Sequence, residues 1–389
     1  MNKNNKFALI LLMFDIFIAM SAIGLIVPIM PSYLKEFGAK GAVLGYLIAI
    51  IAFAQFIFSP IAGSLSDRLG RKKLIVFGLI LNGISQILFG VSNHLWELFV
   101  LRFLSGMGAA FITPPIMAYT ADITTLEERG KAMGLIGAAI SFGFMIGPGI
   151  GGALSNVSIH FPFIVAGSAA ICAGIFSLIF LPNVKATVVD KPTGNNIIKE
   201  MIRSIKTPYF VLLIVVLVFS FGIANFQATL SMFVTYKFDY TPNDIAIIMT
   251  VGGFVGVIVQ GVLLNRLFKR FGEMNIILVS LIVAAISMLG MIFVSSYFTI
   301  LFVTTIFQTT TTLIRPAVNT LISKVAGNEQ GYAAGMNNAY MSLGNMIGPA
   351  LAGVLLDWHL NLPFVLGTVI LIGCYLITFI WNKKSFAAH

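Results

Sequence analysis

The chain has 389 residues, 58% of them hydrophobic and only 10% charged, with 34 Phe against 14 acids. Soluble domains carry about 25% charged residues, so this composition excludes a protein that packs in water, and two Cys exclude a disulfide scaffold. The net charge of +10 comes from basic residues scattered between apolar runs, which excludes the continuous basic stripe of a nucleic-acid binder and leaves an all-α integral membrane protein.

A spanning helix needs about 20 mostly apolar residues. Twelve stretches qualify, over approximately 7–33, 42–65, 74–92, 97–120, 131–155, 162–181, 208–233, 243–265, 274–294, 297–322, 331–356 and 362–382. The first is too long for the apolar core of a cleavable signal peptide. Basic residues crowd the N-terminus, the loops after even-numbered spans and the C-terminus, from Lys3 and Lys6 through Arg68, Arg71, Lys72 and Lys73 to Lys383 and Lys384. The opposite loops hold only Lys35, Lys40 and Lys237, so the positive-inside rule makes both termini cytoplasmic, with anionic lipid headgroups as partners of the charge. A polar cytoplasmic linker over 183–207, holding Pro192, Gly194, Asn195 and Asn196, divides a six-helix bundle over 1–182 from a second over 208–389.

Sliding the chain against itself by 201 residues superimposes Gly130, Gly134, Gly143, Gly147, Pro148 and Gly152 on Gly331, Gly335, Gly344, Gly348, Pro349 and Gly353. Pro115, Pro162 and Phe163 meet Pro316, Pro363 and Phe364 at the same offset. Two pseudo-symmetric halves of like topology match a parallel-repeat secondary transporter, whose halves rock around a central site.

The run after span 2 reads Gly63-Ser-Leu-Ser-Asp67-Arg68-Leu-Gly70-Arg71. An aspartate near a helix end, a turn glycine and clustered cations suit a charge latch that biases one conformation. In span 5, Gly143, Gly147 and Gly151 fall four apart on one face, where another helix can approach closely; Pro148 removes a backbone donor and invites a bend.

Ionisable groups within a span are functional candidates by default. Among the acids only Asp15 lies well inside one, ~12 Å deep at ~1.5 Å per residue, where it is a candidate for exchanging protons. The cations are Arg102 in span 4 and Arg315 in span 10, both read as buried and in need of an anion, carbonyls or water; a structural pairing of Arg102 with Asp15 is equally compatible.

These motifs resemble the major facilitator superfamily. The run from Gly63 to Lys73 is similar to its hallmark between spans 2 and 3, with a degraded copy at Asn265-Arg266-Leu-Phe-Lys269-Arg270-Phe-Gly272. Arg102-Phe-Leu-Ser-Gly106 resembles its span 4 motif, and Gly143-Phe-Met-Ile-Gly147-Pro148-Gly149-Ile-Gly151-Gly152 that of its drug/proton antiporter branch. Segments such as TADITTLEERGKAMG and VAGNEQGYAAGMNN look like Gram-positive multidrug exporters of the quinolone-resistance type. The resemblance implies a twelve-helix facilitator fold in a bacterial plasma membrane and export of hydrophobic or amphiphilic drugs or dyes by alternating access, in exchange for protons. It implies Arg102 in proton or substrate handling at the cavity, with Gln55, Phe144, Gln308, Asn337 and Asn345 lining it, beside Asp15, which its depth within span 1 makes the candidate for coupling.

The chain departs from that pattern at two places. Where these exporters carry acids in spans 7 and 10, it has Gln227 and Thr312, three residues before Arg315. Three outcomes stay open: Asp15 has taken over coupling, the cargo is neutral or anionic with Arg102 and Arg315 as counter-charges, or the carrier is an uncoupled facilitator. An endogenous lipid or sugar conjugate is the alternative cargo. No HExxH, GxSxG, P-loop or Cys/His cluster points to an enzyme, no cofactor or metal is expected, and a monomer is. His94, His160 and His359 are expected near the outer surface, and Cys172 and Cys374 as small packing residues.

Overall fold

The computed structural model describes residues 3–184, 197–327 and 329–387. In chain order the helices are α1 (Lys3–Ile26), α2 (Met30–Lys35), α3 (Gly41–Leu69), α4 (Arg71–Gly90), α5 (Leu95–Ala110), α6 (Thr113–Asp122), α7 (Leu126–Ser155), α8 (Phe161–Phe180), α9 (Ile197–Ser204), α10 (Phe210–Phe238), α11 (Pro242–Phe271), α12 (Glu273–Gly290), α13 (Tyr297–Val325), α14 (Gln330–Trp358) and α15 (Leu362–Ala387). Among the described residues twelve spans are long and apolar enough to cross a membrane, with a helix at each of the twelve expected stretches. The linker holds α9, and its residues 185–196 lie outside the described part.

Prolines account for two departures. The first span stops at Ile26, and the chain turns at Pro28 before α2, because proline has no N–H to continue the ladder. Span 4 divides into α5 and α6, whose first turn holds Pro114 and Pro115. The matching α13, with the single Pro316, runs unbroken, and so does α7 through Pro148.

The span 5 glycines press on α1. A Cβ on Gly143 would stand 2.8 Å from the Phe17 carbonyl oxygen and one on Gly147 2.7 Å from that of Ser21, while Gly151 lies against the Leu25 carbonyl. The stripe therefore advances four residues at a time along both helices, and any side chain would push them apart. The second copy repeats this contact: Gly344 of α14 sits on the Leu217 carbonyl of α10, and Gly348 on that of Phe221.

The described residues of 1–39, 50–193 and 238–250 form one compact unit, and those of 40–49, 194–237 and 251–389 a second. Their boundaries follow packing rather than the halves of the repeat, so unit 1 includes the first turns of α11 and unit 2 those of α3. In unit 1, Leu12, Ile16 and Ala19 of α1 share a core with Ile75 and Leu79 of α4, Tyr119 of α6, Ile136 of α7 and Ala173 of α8.

The seam yields a direct test. Gly147→Val should destabilise the purified protein by about 1–3 kcal/mol through overpacking, whereas Gly134→Ala, in open space, should be neutral; thermal unfolding in detergent measures both.

Candidate functional site

The clearest charge site in unit 1 is the turn between α3 and α4. Gly70 takes φ +98° there, a conformation open to glycine and strained for other residues, and so turns the chain into α4. Arg71, only 5% exposed, then donates from Nε to Asp122 Oδ2 of α6 at 3.0 Å. Its Nη1 donates to Asp67 and to Ser66 Oγ. One guanidinium thus ties the ends of α3 and α6. Asp122 and Ser66 are members that the spacing did not point to, and Arg68 is exposed. Gly63 has open space around it, whereas Gly152 of α7 lies against Ala246 at the start of α11, inside the same unit.

An offset of 202 residues carries Asp67, Gly70, Arg71 and Asp122 onto Lys269, Gly272, Glu273 and Lys324. The glycine keeps its positive φ, at +74°, and Lys324 Nζ donates to Glu273 Oε1 at 2.5 Å. Every charge has changed sign, yet the ion pair across the same two positions is kept. The degraded copy of the motif is a working copy of opposite polarity.

Asp15 is fully buried. Ser177 Oγ of α8 donates to its Oδ2 at 2.6 Å, while Oδ1 is enclosed with no hydrogen-bond partner. In the second half Val215 and Val216 stand near the equivalent place, and Thr378, which matches Ser177, turns its hydroxyl back to the Cys374 carbonyl of its own helix. The acid–serine pair is therefore an addition to the first half alone.

Arg102 is 5% exposed and meets no carboxylate among the described residues. Its Nη2 donates to Met30 Sδ at 3.1 Å, and its guanidinium lies 4.2 Å over the Phe89 ring, a cation–π contact. Tyr33 completes the surroundings by donating to the Phe89 carbonyl at 2.5 Å. The structural pairing of Arg102 with Asp15 is thus absent, since each has its own neighbours.

Arg315 corrects the sequence reading in another way: it is exposed rather than buried. It shares a helical stripe of α13 with Gln308 and Thr312, both half-buried. The same stripe faces α11 closely: a Cβ on Gly252 would stand 3.1 Å from the Gln308 side chain and one on Gly256 3.0 Å from Thr312 Oγ1. One residue before Gln227 and Gln308, Phe226 and Phe307 stack at 4.0 Å, so the two amides leave one contact between α10 and α13. On α14, Asn337 and Asn345 are half-buried, and Asn337 Oδ1 is enclosed without a partner. In unit 1, Gln55 is half-buried and Phe144 exposed.

Two further contacts had no sequence signal. Asp357, at the end of α14, accepts from the backbone N–H of Gly41 at 2.7 Å and of Ala42 at 3.1 Å, capping α3 within unit 2. His160 Nδ1 lies 2.7 Å from the Gly90 carbonyl, and its Nε2 3.5 Å from Glu36. Cys374 is buried as expected for a packing residue, but Cys172 is exposed. No group of metal-binding side chains occurs among the described residues.

The sequence pattern of the Major Facilitator Superfamily matches residues 12–307 and 212–388. The chain belongs to this superfamily. It is 40% identical over 388 residues to Multidrug resistance protein 2 of Bacillus subtilis strain 168, covering 98% of this chain and 97% of that one. With Multidrug resistance protein 1 of the same strain it shares 42% over 386 residues, 99% and 98% of the two chains. With Quinolone resistance protein NorA of Staphylococcus aureus strain Mu50 it shares 35% over 367 residues, 93% and 92%. Among solved structures, a bacterial homolog of the human lysosomal transporter Spinster matches with TM-score 0.79 at 15% identity, covering 98% of each chain. The nucleoside transporter NupG matches with TM-score 0.79 at 12%, covering 96% of this chain and 99% of its own. These two share the fold. Membership makes the chain a multi-pass membrane transporter rather than an enzyme.

The Arg71 triad can be tested by polarity. Asp122→Ala, which leaves Arg71 with Asp67 and Ser66 alone, should destabilise by roughly 1.5–3 kcal/mol, and Arg71→Glu, which sets like charges together, by more. The triple change Asp67→Lys, Arg71→Glu, Asp122→Lys, which installs the polarity of the second half, should recover much of the thermal stability that Arg71→Glu alone loses.

Proposed function

We propose that the chain exports hydrophobic or amphiphilic small molecules, drugs and dyes among them, from the cell by alternating access in exchange for protons. The observation that carries this reading is the near-full-length 40% identity to a protein named for multidrug resistance. The glycine stripe of α7 supports it, because it holds α1 and α7 as one seamless wall. The carrier sits in the bacterial cell membrane with both termini cytoplasmic, as its basic loops favour, works as a monomer, and rocks the half over 1–182 against that over 208–389.

Asp15 is the coupling group in this reading. It has a single hydroxyl donor, one oxygen without a partner and an apolar setting, so a proton gained or lost there changes the packing of α1 against α8. Arg102, held by Met30 and the Phe89 ring, is a fixed positive charge of the span 4 motif. Gln55, Phe144, Gln227, Gln308, Thr312, Arg315, Asn337 and Asn345 offer amide, hydroxyl and aromatic contacts suited to loose recognition of varied amphiphiles. A second reading, a carrier for an endogenous neutral or anionic conjugate, draws on the amide and hydroxyl at Gln227 and Thr312.

Everted vesicles with an imposed proton gradient test the coupling. Asp15→Asn should abolish gradient-driven dye uptake by at least about tenfold, as the loss of an essential proton carrier does, while leaving the apparent KM for dye near wild type, since Asp15 is sealed in the core. Unchanged gradient-driven uptake, with the protein confirmed in the membrane, would remove Asp15 from the mechanism.

A further inference from the structure

The charges of unit 2 do not cancel inside the membrane. Its four acids are Glu200, Glu273, Glu329 and Asp357, and each is at or beside a helix end. Glu273 is held by Lys324 at 2.5 Å, and Glu200 and Glu329 flank Arg203 at 3.8 and 3.5 Å. Asp357 is taken by the Gly41 and Ala42 amides. Arg315, in contrast, lies well inside the span formed by α13 and has no ion pair among the described residues.

The helix places that guanidinium on a particular face. Gln308, Thr312, Arg315 and Asn319 follow one another at i, i+4, i+7 and i+11, a single polar stripe, with Arg315 and Asn319 exposed. Phe307, Ile314, Ala317 and Val318, all 1% exposed or less, mark the buried face. Phe298 and Phe302, 79% and 67% exposed, mark a separate apolar face suited to lipid. The bare cation thus avoids the lipid side, as intramembrane charges do when they line a water-filled path. Gly252 and Gly256 let the α11 backbone close over Gln308 and Thr312, so the open part of the stripe is its Arg315 and Asn319 end.

We infer that this stripe is a recognition site for an anionic headgroup, and that the cargo is an amphiphile bearing a carboxylate, sulfonate or phosphate. The guanidinium presents a planar fork of donors that matches such groups with two parallel hydrogen bonds. The Gln308 amide, two turns and ~10.5 Å away along the helix, can meet only a more distant part of the cargo. The inference rests on the export reading above and specifies its substrate class. With a threonine at position 312, no carboxylate among the described residues pairs with Arg315, and an organic cation meets repulsion there.

Uptake of carboxyfluorescein and of ethidium into everted vesicles, measured side by side, tests this. Wild type should favour the anionic dye. Arg315→Gln should lower the anion-to-cation uptake ratio at least tenfold, Arg315→Lys should keep most of it, and Thr312→Asp, which places a carboxylate three residues from the arginine, should shift the ratio toward ethidium. A parallel fall of both dyes in Arg315→Gln, with the ratio unchanged, would make Arg315 structural and overturn the assignment. Wild-type transport of ethidium in preference to carboxyfluorescein would overturn the anion class while leaving the export reading standing. Transport of neither, by wild type present in the membrane, would overturn the export reading itself.

Discussion

A charge inside a bilayer must be met by a partner or by water, and three such charges organise this molecule. Asp15 is met by one serine hydroxyl in the core of unit 1. Arg102 is met by a thioether and an aromatic face, which satisfy a guanidinium less fully than a carboxylate would. Arg315 meets no negative charge among the described residues. In the proposed mechanism this gradation gives them different work: a sealed group that exchanges a proton, a fixed cation, and an open cation for a ligand.

The scaffold around them is built twice. Glycines four apart bring α7 onto α1 and α14 onto α10 with backbone touching side-chain-free backbone, so the two copies share their closest seam. They differ where chemistry is placed. The acid–serine pair exists only in the first copy, the open arginine stripe only in the second, and the turn latch exists in both with reversed polarity. In both copies an ion pair joins the helix that follows the glycine turn to the end of span 4 or span 10: Arg71 with Asp122 and Glu273 with Lys324.

Much of this was legible in the sequence, for stated reasons. Hydropathy marks spans because lipid leaves the backbone no alternative to a helix, but it reads straight through Pro28 and through Pro114 and Pro115, where the missing donors break the helix. The glycine stripe announced a close approach by its period, but not that α1 would fill it. Asp67 and Arg71 are neighbours in sequence; Asp122 stands 51 residues from Arg71 inside a polar run that reads as loop, and Ser177 stands 162 from Asp15, so neither partnership leaves a local signal. Position within span 10 suggested burial for Arg315, whereas the polar stripe through Gln308, Thr312 and Asn319 carried the better indication of which face it takes.

The most direct test of the account is a structure of the protein with an anionic amphiphile bound. The account predicts the headgroup within hydrogen-bonding distance, about 3 Å, of the Arg315 guanidinium, with Asp15 still closed against Ser177 and touching no ligand. A headgroup seated elsewhere, with Arg315 paired to a carboxylate of the protein itself, would contradict it.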